Sequence, residues 1–172
     1  MSKAELVIVV FGAAGGAELY FENVNKLPAE TQIPLLDAVI VTKDAFGNTT
    51  ITETVDVDST EGAVAGAAAG ALVGLLGGPL GVAIGAAAGA VVGGAAADQI
   101  DLGVPTQALD VVCERMKART SAFLTLVDPV YIPALEGVFG TLNQTIQSVF
   151  IHHEVNPAAL DQAKQKAKSK RS

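Results

Sequence analysis

Two short stretches of the chain carry residue types that could do chemistry. The first, FGAAGGAE at residues 11–18, places glycines between a predicted strand and a predicted helix, where backbone N–H groups can hold a phosphate. Its G-x-x-G-G spacing is neither the dinucleotide fingerprint nor the P-loop, and it lacks the P-loop lysine. We therefore interpret residues 12–16 as a tight strand-to-helix turn, with a small-ligand sensor built on that turn as an alternative.

The second stretch, FIHHEV at residues 150–155, offers His152, His153 and Glu154. Neighbouring side chains of a strand point to opposite faces, so the two histidines cannot readily chelate one metal within a single chain. The chain has no other histidine, and its one cysteine, Cys113, lies on the apolar face of a predicted helix, which indicates a core position. We expect no catalytic residues, no metal, no cofactor and no enzyme; a metal site shared between subunits is the alternative.

The elements that would position these residues alternate between strand and helix. Apolar runs predict strands at residues 6–11, 36–43, 49–57, 121–128 and 145–155. Helical patterns lie at 13–28, at 105–120, at 130–143 (interrupted by Pro133) and in the tail from 157, and the loop DAFGN joins the second and third strands as a β-hairpin. The second helix would bury one apolar face, made of Leu109, Val112, Cys113 and Met116.

This order predicts an α+β fold. The first six elements outside the glycine-rich insert have the split βαββαβ pattern of a ferredoxin-like sandwich, with two helices on one face of an antiparallel sheet. A Gly/Ala-rich helical hairpin is inserted after the third strand, and an extra C-terminal α-β-α extension follows. The predicted body is 1–58 and 99–155, the inserted hairpin is 59–98, and a basic C-terminal tail is 156–172.

Glycine recurs at every fourth residue of the insert. Eight glycines in a helix interior cost on the order of 8 kcal/mol relative to alanine, comparable to the stability of a whole domain. Residues four apart share one ridge of a helix, so these glycines form a groove in which two backbones can approach closely. We predict a glycine zipper of two helices, at about 61–76 and 79–97, whose packing residues are Gly62, Gly66, Gly70, Gly74, Gly81, Gly85, Gly89 and Gly93.

The composition of this insert favours packing on protein over insertion in lipid. Of the 36 residues 62–97, 25 are Ala or Gly and only 10 are Val, Leu or Ile, which gives little driving force for insertion. The residues that flank 62–97 are acidic, with Asp56, Asp58 and Glu61 before this stretch and Asp98 and Asp101 after it, and the chain has no Trp. Burial between copies in a homo-oligomer is the prediction, and insertion in a bilayer is the alternative.

Charge is divided unevenly along the chain. Residues 1–155 hold 6 Lys/Arg and 17 Asp/Glu, a net charge of −11, whereas residues 156–172 hold 5 Lys/Arg and Asp161, a net charge of +4. An acidic body argues against nucleic-acid binding, because phosphates need positive charge. The tail could contact RNA, an anionic membrane or an acidic neighbour, although a solubilising helix is the simpler interpretation.

The chain resembles an uncharacterised bacterial and archaeal family, number 1269 in the domain-of-unknown-function series, often labelled predicted membrane proteins. The resemblance covers nearly the whole chain and rests on ELVIVVFG, on LLDAVIVTKDAFGNTTITETVDV, on the glycine zipper, and on MKARTSAFLTLV followed by a short helix and a last strand. It implies a ferredoxin-like body that carries a glycine-zipper hairpin. It brings no established activity and no catalytic residues, and residues 12–16 and the basic tail are less typical of the family.

These patterns together predict a non-enzymatic structural protein that self-associates through its glycine zipper. The expected partner is a second copy of the chain, with membrane lipid as the alternative. The predicted location is the cytoplasm, at the inner face of the cell membrane if the hairpin contacts lipid. The single cysteine fits a reducing compartment, because no internal disulfide can form.

Overall fold

The computed structural model describes residues 4–35, 37–53, 111–112, 114–143 and 148–155. These residues form an α+β fold whose strands and α-helices are, in chain order, β1 (Glu5–Phe11), α1 (Gly16–Asn25), β2 (Asp37–Lys43), β3 (Thr49–Glu53), β4 (Ser121–Val127), α2 (Ile132–Asn143) and β5 (Ser148–Glu154). Short 3-10 helices at Ala29–Thr31 and Pro129–Tyr131 precede β2 and α2.

The five strands form one antiparallel sheet in the order β3-β2-β4-β1-β5. Helix α1 connects β1 to β2, and β4 lies between those two strands. Helix α2 connects β4 to β5, and β1 lies between them. The two helical connections therefore interleave, and the two central strands of the sheet, β4 and β1, come from distant parts of the sequence.

The predicted ferredoxin-like split βαββαβ sandwich, built from the first six elements with a separate C-terminal extension, is wrong. The strand assigned to the extension is β5, which pairs with β1 along all seven residues. The predicted third strand, β3, lies at the sheet edge and is hydrogen-bonded to β2. The physical reason is composition. The apolar strand ELVIVVF is best placed in the interior of the sheet, between two neighbouring strands, whereas the short polar strand TTITE tolerates the exposed edge.

One face of the sheet is covered by α1 and α2. Tyr20 of α1 is fully buried there, with its ring centroid 5.6 Å from that of Phe11 and 5.3 Å from that of Phe123. The Tyr20 hydroxyl donates to the carbonyl of Leu135 in α2 at 2.9 Å, which joins the two helices. The second helix on this face is therefore α2, and not the segment 105–120 that the sequence pattern assigned to it.

The other face of the sheet is buried as well. On β1, β2 and β4, the apolar side chains that alternate away from α1 and α2 are at most 5% exposed, and they are Leu6, Ile8, Val10, Val39, Val41, Ala122, Leu124 and Leu126. Strands that are buried on both faces read as continuous apolar runs, which explains the pattern of β1 and β4.

The predicted helices are confirmed in part. Helix α1 ends at Asn25, before Pro28, as predicted. Helix α2 begins at Ile132, so Pro133 lies in its first turn, where no backbone donor is lost, and does not interrupt it. Residues 111–112 and 114–115 are helical, and Val112 and Met116 are buried as expected of an apolar helix face. The predicted hairpin 59–98 and tail 156–172 lie outside the described residues.

Candidate functional site

The turn between β1 and α1 is held by the chain's own polar groups. The backbone N–H of Ala17 donates to Ser121 Oγ at 2.9 Å, and that hydroxyl donates to the carbonyl of Ala13 at 2.7 Å. The N–H of Gly16 donates to the same carbonyl at 3.1 Å. Ser121 is fully buried at the start of β4, so its hydroxyl fixes the turn to the sheet.

This geometry supports a structural turn at residues 12–16. A phosphate at the N-terminus of α1 would have to displace the Ser121 hydroxyl from Ala17 and would meet the carboxylate of Glu18 in the first turn. Glycine is required at position 16 by close approach, because a Cβ there would overlap the Cβ and Cγ of Phe11.

The two histidines lie on opposite faces of β5, as predicted. His152 pairs with Val7 on the face that carries α1 and α2, whereas His153 pairs with Leu6 on the other face. His152 Nδ1 lies 2.5 Å from Glu5 Oε2, and its ring centroid lies 6.2 Å from that of Phe150. Among the residues that the structure describes, no three His, Cys, Asp or Glu side chains are grouped to hold a metal; Cys113 is not one of these residues.

The loop between β2 and β3 is a hydrogen-bonded polar turn that carries an exposed aromatic side chain. Asp44 Oδ1 accepts the N–H groups of Phe46 at 2.8 Å and Asn48 at 2.9 Å, and Oδ2 accepts the side-chain amide of Asn48 at 2.7 Å. The Asn48 amide, helped by backbone N–H groups of the loop, lowers the pKa of Asp44 below its ordinary range. Gly47 adopts φ +84°, and Phe46 is 90% exposed.

The turn that precedes β4 lies beside this loop. The N–H of Arg119 donates to the carbonyl of Asp44 at 3.1 Å, and the N–H of Lys43 donates to the carbonyl of Thr120 at 2.9 Å. Lys43 Nζ donates to the carbonyl of Met116 at 3.1 Å. We call this region the basic end of the sheet: the exposed Phe46 together with the cations Lys43, Arg115, Lys117 and Arg119, of which the last three are exposed.

The other end of the same sheet carries carboxylates. Strand β1 begins at Glu5, directly opposite Glu154 at the end of β5, and Asp128 follows the end of β4. A strand of seven residues rises about 20 Å, so this acidic end lies about 20 Å from the basic end. The sheet is therefore electrically asymmetric along its strands, although the body as a whole is acidic.

This basic end is not apparent from the amino-acid sequence alone. Phe46 was visible as the one large apolar side chain in the loop DAFGN. The cations of ERMKAR are about 70 residues away in the sequence, and they reach the loop only because β2 pairs with β4. The local sequence thus shows the exposed phenylalanine, but only the strand order shows that the cations lie at the same end of the sheet.

The packing residues predicted from glycine spacing, Gly62 to Gly93, lie outside the described residues. The sequence comparison bears on this segment directly. Residues 35–101 match the family model of the YMGG-like Gly-zipper. No curated protein and no solved structure matches the chain.

The match confirms that the chain carries a segment similar to a glycine zipper. The matched range contains β2, β3 and all eight glycines of the predicted zipper. It is a match to a different family from the domain family numbered 1269, so that finer resemblance stays a prediction. In the described part of the chain, no helix is long and apolar enough to cross a membrane.

Proposed function

We propose that this chain is a non-enzymatic assembly protein that forms a homo-oligomer through its glycine-zipper segment. The observation that carries the proposal is the match of residues 35–101 to the YMGG-like Gly-zipper, within which glycine recurs at every fourth position. A row of glycines on one helix ridge is costly in an isolated helix, and close packing against a second backbone offsets that cost.

The sheet suits the role of a rigid frame for such a segment. The segment follows β3, which pairs with β2, and precedes β4, which pairs with β2 on its other edge. Both attachment strands thus belong to one sheet that is buried on both faces. An oligomer built through the insert would therefore carry one such sheet for each copy of the chain.

The decisive experiment places bulk on the glycine ridge. The variant Gly70→Leu/Gly85→Leu fills the groove in both halves of the zipper, and Ala68→Leu/Ala87→Leu adds the same bulk on the opposite side of an ideal helix. The mass of each untagged protein is measured by light scattering after size exclusion without detergent.

We expect one discrete large species for wild type and for the alanine-site control, and species that approach the monomer mass of 17.4 kDa for the ridge variant. A ridge variant that keeps the wild-type mass refutes assembly through the zipper. A monomeric wild type refutes self-association altogether.

A second candidate function is membrane association, in which the same segment inserts in a bilayer and holds the body at the inner face of the cell membrane. It is favoured by the absence of Asp, Glu, Lys and Arg from residues 62–97. Membrane association that resists carbonate extraction, with recovery only in detergent, supports this candidate. Full recovery of the protein in the soluble fraction refutes it.

A further inference from the structure

The few basic residues of the acidic body are concentrated in one place. Residues 1–155 contain 6 Lys/Arg, and four of them belong to the basic end, namely Lys43, Arg115, Lys117 and Arg119. Among the described residues, the carboxylates at this end or beside these cations in the chain include Asp44, Glu114 and Glu18; Asp44 is bound by donors of its own loop, and Glu18 accepts the Thr42 hydroxyl at 3.2 Å. Arg115, Lys117 and Arg119 are exposed, whereas Lys43 is half-buried and its Nζ donates to the carbonyl of Met116.

The exposed aromatic side chain at this end, Phe46, lies in a hydrogen-bonded loop. Phe46 is 90% exposed, whereas Tyr20, Phe11 and Phe123 are fully buried. Its backbone N–H is bound by the Asp44 carboxylate, and the left-handed Gly47 completes the turn, so hydrogen bonds within the loop hold the backbone that carries the ring. A single exposed apolar ring is ordinary on a protein surface, so its significance here comes from the cations at the same end of the sheet.

The backbone also joins the cations to the aromatic side chain. Arg119 adopts φ +64°, a left-handed conformation that disfavours side chains other than those of Gly, Asn and Asp. In that conformation its N–H donates to the carbonyl of Asp44 and fixes the cationic turn against the Phe46 loop. A left-handed arginine at this point therefore places a cation beside the loop that carries Phe46.

We propose that the basic end docks the body on an anionic lipid surface, with Phe46 inserted among the headgroups and the four cations around it. A bilayer accepts a single aromatic ring without a shaped pocket, and anionic headgroups attract lysine and arginine on flexible stems. The acidic end lies about 20 Å away, beyond two Debye lengths at physiological salt, so its repulsion is screened. The charge asymmetry would orient the sheet with the basic end toward the membrane.

A nucleic acid is the less favoured anionic partner. Proteins that bind single strands stack successive bases on several aromatic side chains, whereas this loop presents only Phe46. The docking proposal does not rest on the assembly proposal, because it involves neither the zipper glycines nor a second copy of the chain.

The test measures binding of the full chain to phosphatidylcholine vesicles with and without about 30% phosphatidylglycerol, by flotation at about 0.1 M salt. One variant is Phe46→Ser, matched by Val130→Ser, which removes another exposed apolar side chain, 71% exposed. The other is Lys117→Gln/Arg119→Gln, matched by Lys26→Gln, an exposed lysine of α1. All five substituted positions are exposed, and circular dichroism confirms that each variant folds.

We expect wild type to float with the anionic vesicles alone and to be released by high salt. Each removed cation should weaken binding about fivefold, so the double variant should lose about 30-fold. Phe46→Ser should lose about tenfold, and both controls should bind as wild type does.

Three outcomes overturn the proposal. Binding that the variants leave unchanged assigns the membrane contact to the basic tail or to the glycine segment. Binding to neutral vesicles as strong as to anionic ones, without salt dependence, indicates insertion and not electrostatic docking. Binding to a single-stranded RNA that the same variants weaken, without vesicle binding, assigns the basic end to nucleic acid.

Discussion

Replacing Ser121 with alanine is expected to lower the free energy of unfolding by about 2 kcal/mol. The Ser121 hydroxyl accepts the N–H of Ala17 at 2.9 Å and donates to the carbonyl of Ala13 at 2.7 Å. Without it the carbonyl keeps the N–H of Gly16, but the buried N–H of Ala17 loses its partner. An unsatisfied buried donor costs about 1–3 kcal/mol, and the second lost bond adds about 0.5 kcal/mol or more.

The measurement is urea unfolding of Ser121→Ala followed by far-ultraviolet circular dichroism, at one protein concentration so that any oligomer contributes equally. The matched control is Thr52→Ala, which removes an exposed hydroxyl from the edge strand β3 and should change stability by less than about 0.5 kcal/mol. A loss for Ser121→Ala no larger than that of the control would refute the argument that this hydroxyl holds the turn between β1 and α1.

Four further substitutions test the packing and the titrating groups. Gly16→Ala should destabilise by about 2 kcal/mol through overpacking, whereas Gly140→Ala, where a Cβ meets open space, should be neutral or stabilising by up to about 1 kcal/mol in the same urea assay. Tyr20→Phe should cost about 1 kcal/mol. Because burial raises the pKa of Tyr20, wild type should lose stability as pH rises above the ordinary value of 10.0, and Tyr20→Phe should lose less over that range. The hydrogen bond from Asn48 lowers the pKa of Asp44 in the folded protein. The contribution of that carboxylate to stability is therefore full above pH 3.8 and is lost as pH falls through the lowered folded pKa. In thermal melts, the melting temperature of Asp44→Asn should fall less than that of wild type between about pH 5 and 2.

Local elements of this fold were predictable from the sequence because their causes are local. The run ELVIVVF predicted β1, and the loop DAFGN between two β-rich runs predicted the β2–β3 hairpin. The opposite orientation of His152 and His153 followed from strand alternation alone, and the register of β1 and β5 confirms it. Helix α1 was limited by Pro28, as the pattern required.

Strand order was not predictable in the same way. An apolar sequence indicates that a strand is buried, but it does not indicate which other strands pair with it. The split βαββαβ pattern placed the predicted third strand within the sheet, whereas the sheet sets β4 between β1 and β2 and adds β5 on the far side of β1. The second helix was also assigned wrongly: α2, and not the segment 105–120, packs beside α1 on the sheet.

The same limit explains the site. Glycine spacing is a sequence property, so the zipper was visible without a structure, and the match of residues 35–101 agrees with it. The basic end is a property of strand order, since Arg119 reaches Asp44 only across the pairing of β2 with β4. A search of the sequence for runs of basic residues finds the tail and misses the four cations that the fold brings to the same end of the sheet as Phe46.

The two proposed surfaces depend on different physical forces, and this makes them separable in one protein. Packing of a glycine ridge rests on short-range dispersion and close backbone contact, which salt hardly changes. Docking of the basic end rests on charges about a Debye length from the lipid, and that length shrinks from about 8 Å at physiological salt to 3 Å at 1 M. Raising the salt should therefore release the body from anionic vesicles and leave the oligomer mass unchanged. If both were lost together, one surface would be serving both roles, and the basic end would have to be treated as part of the interface between copies.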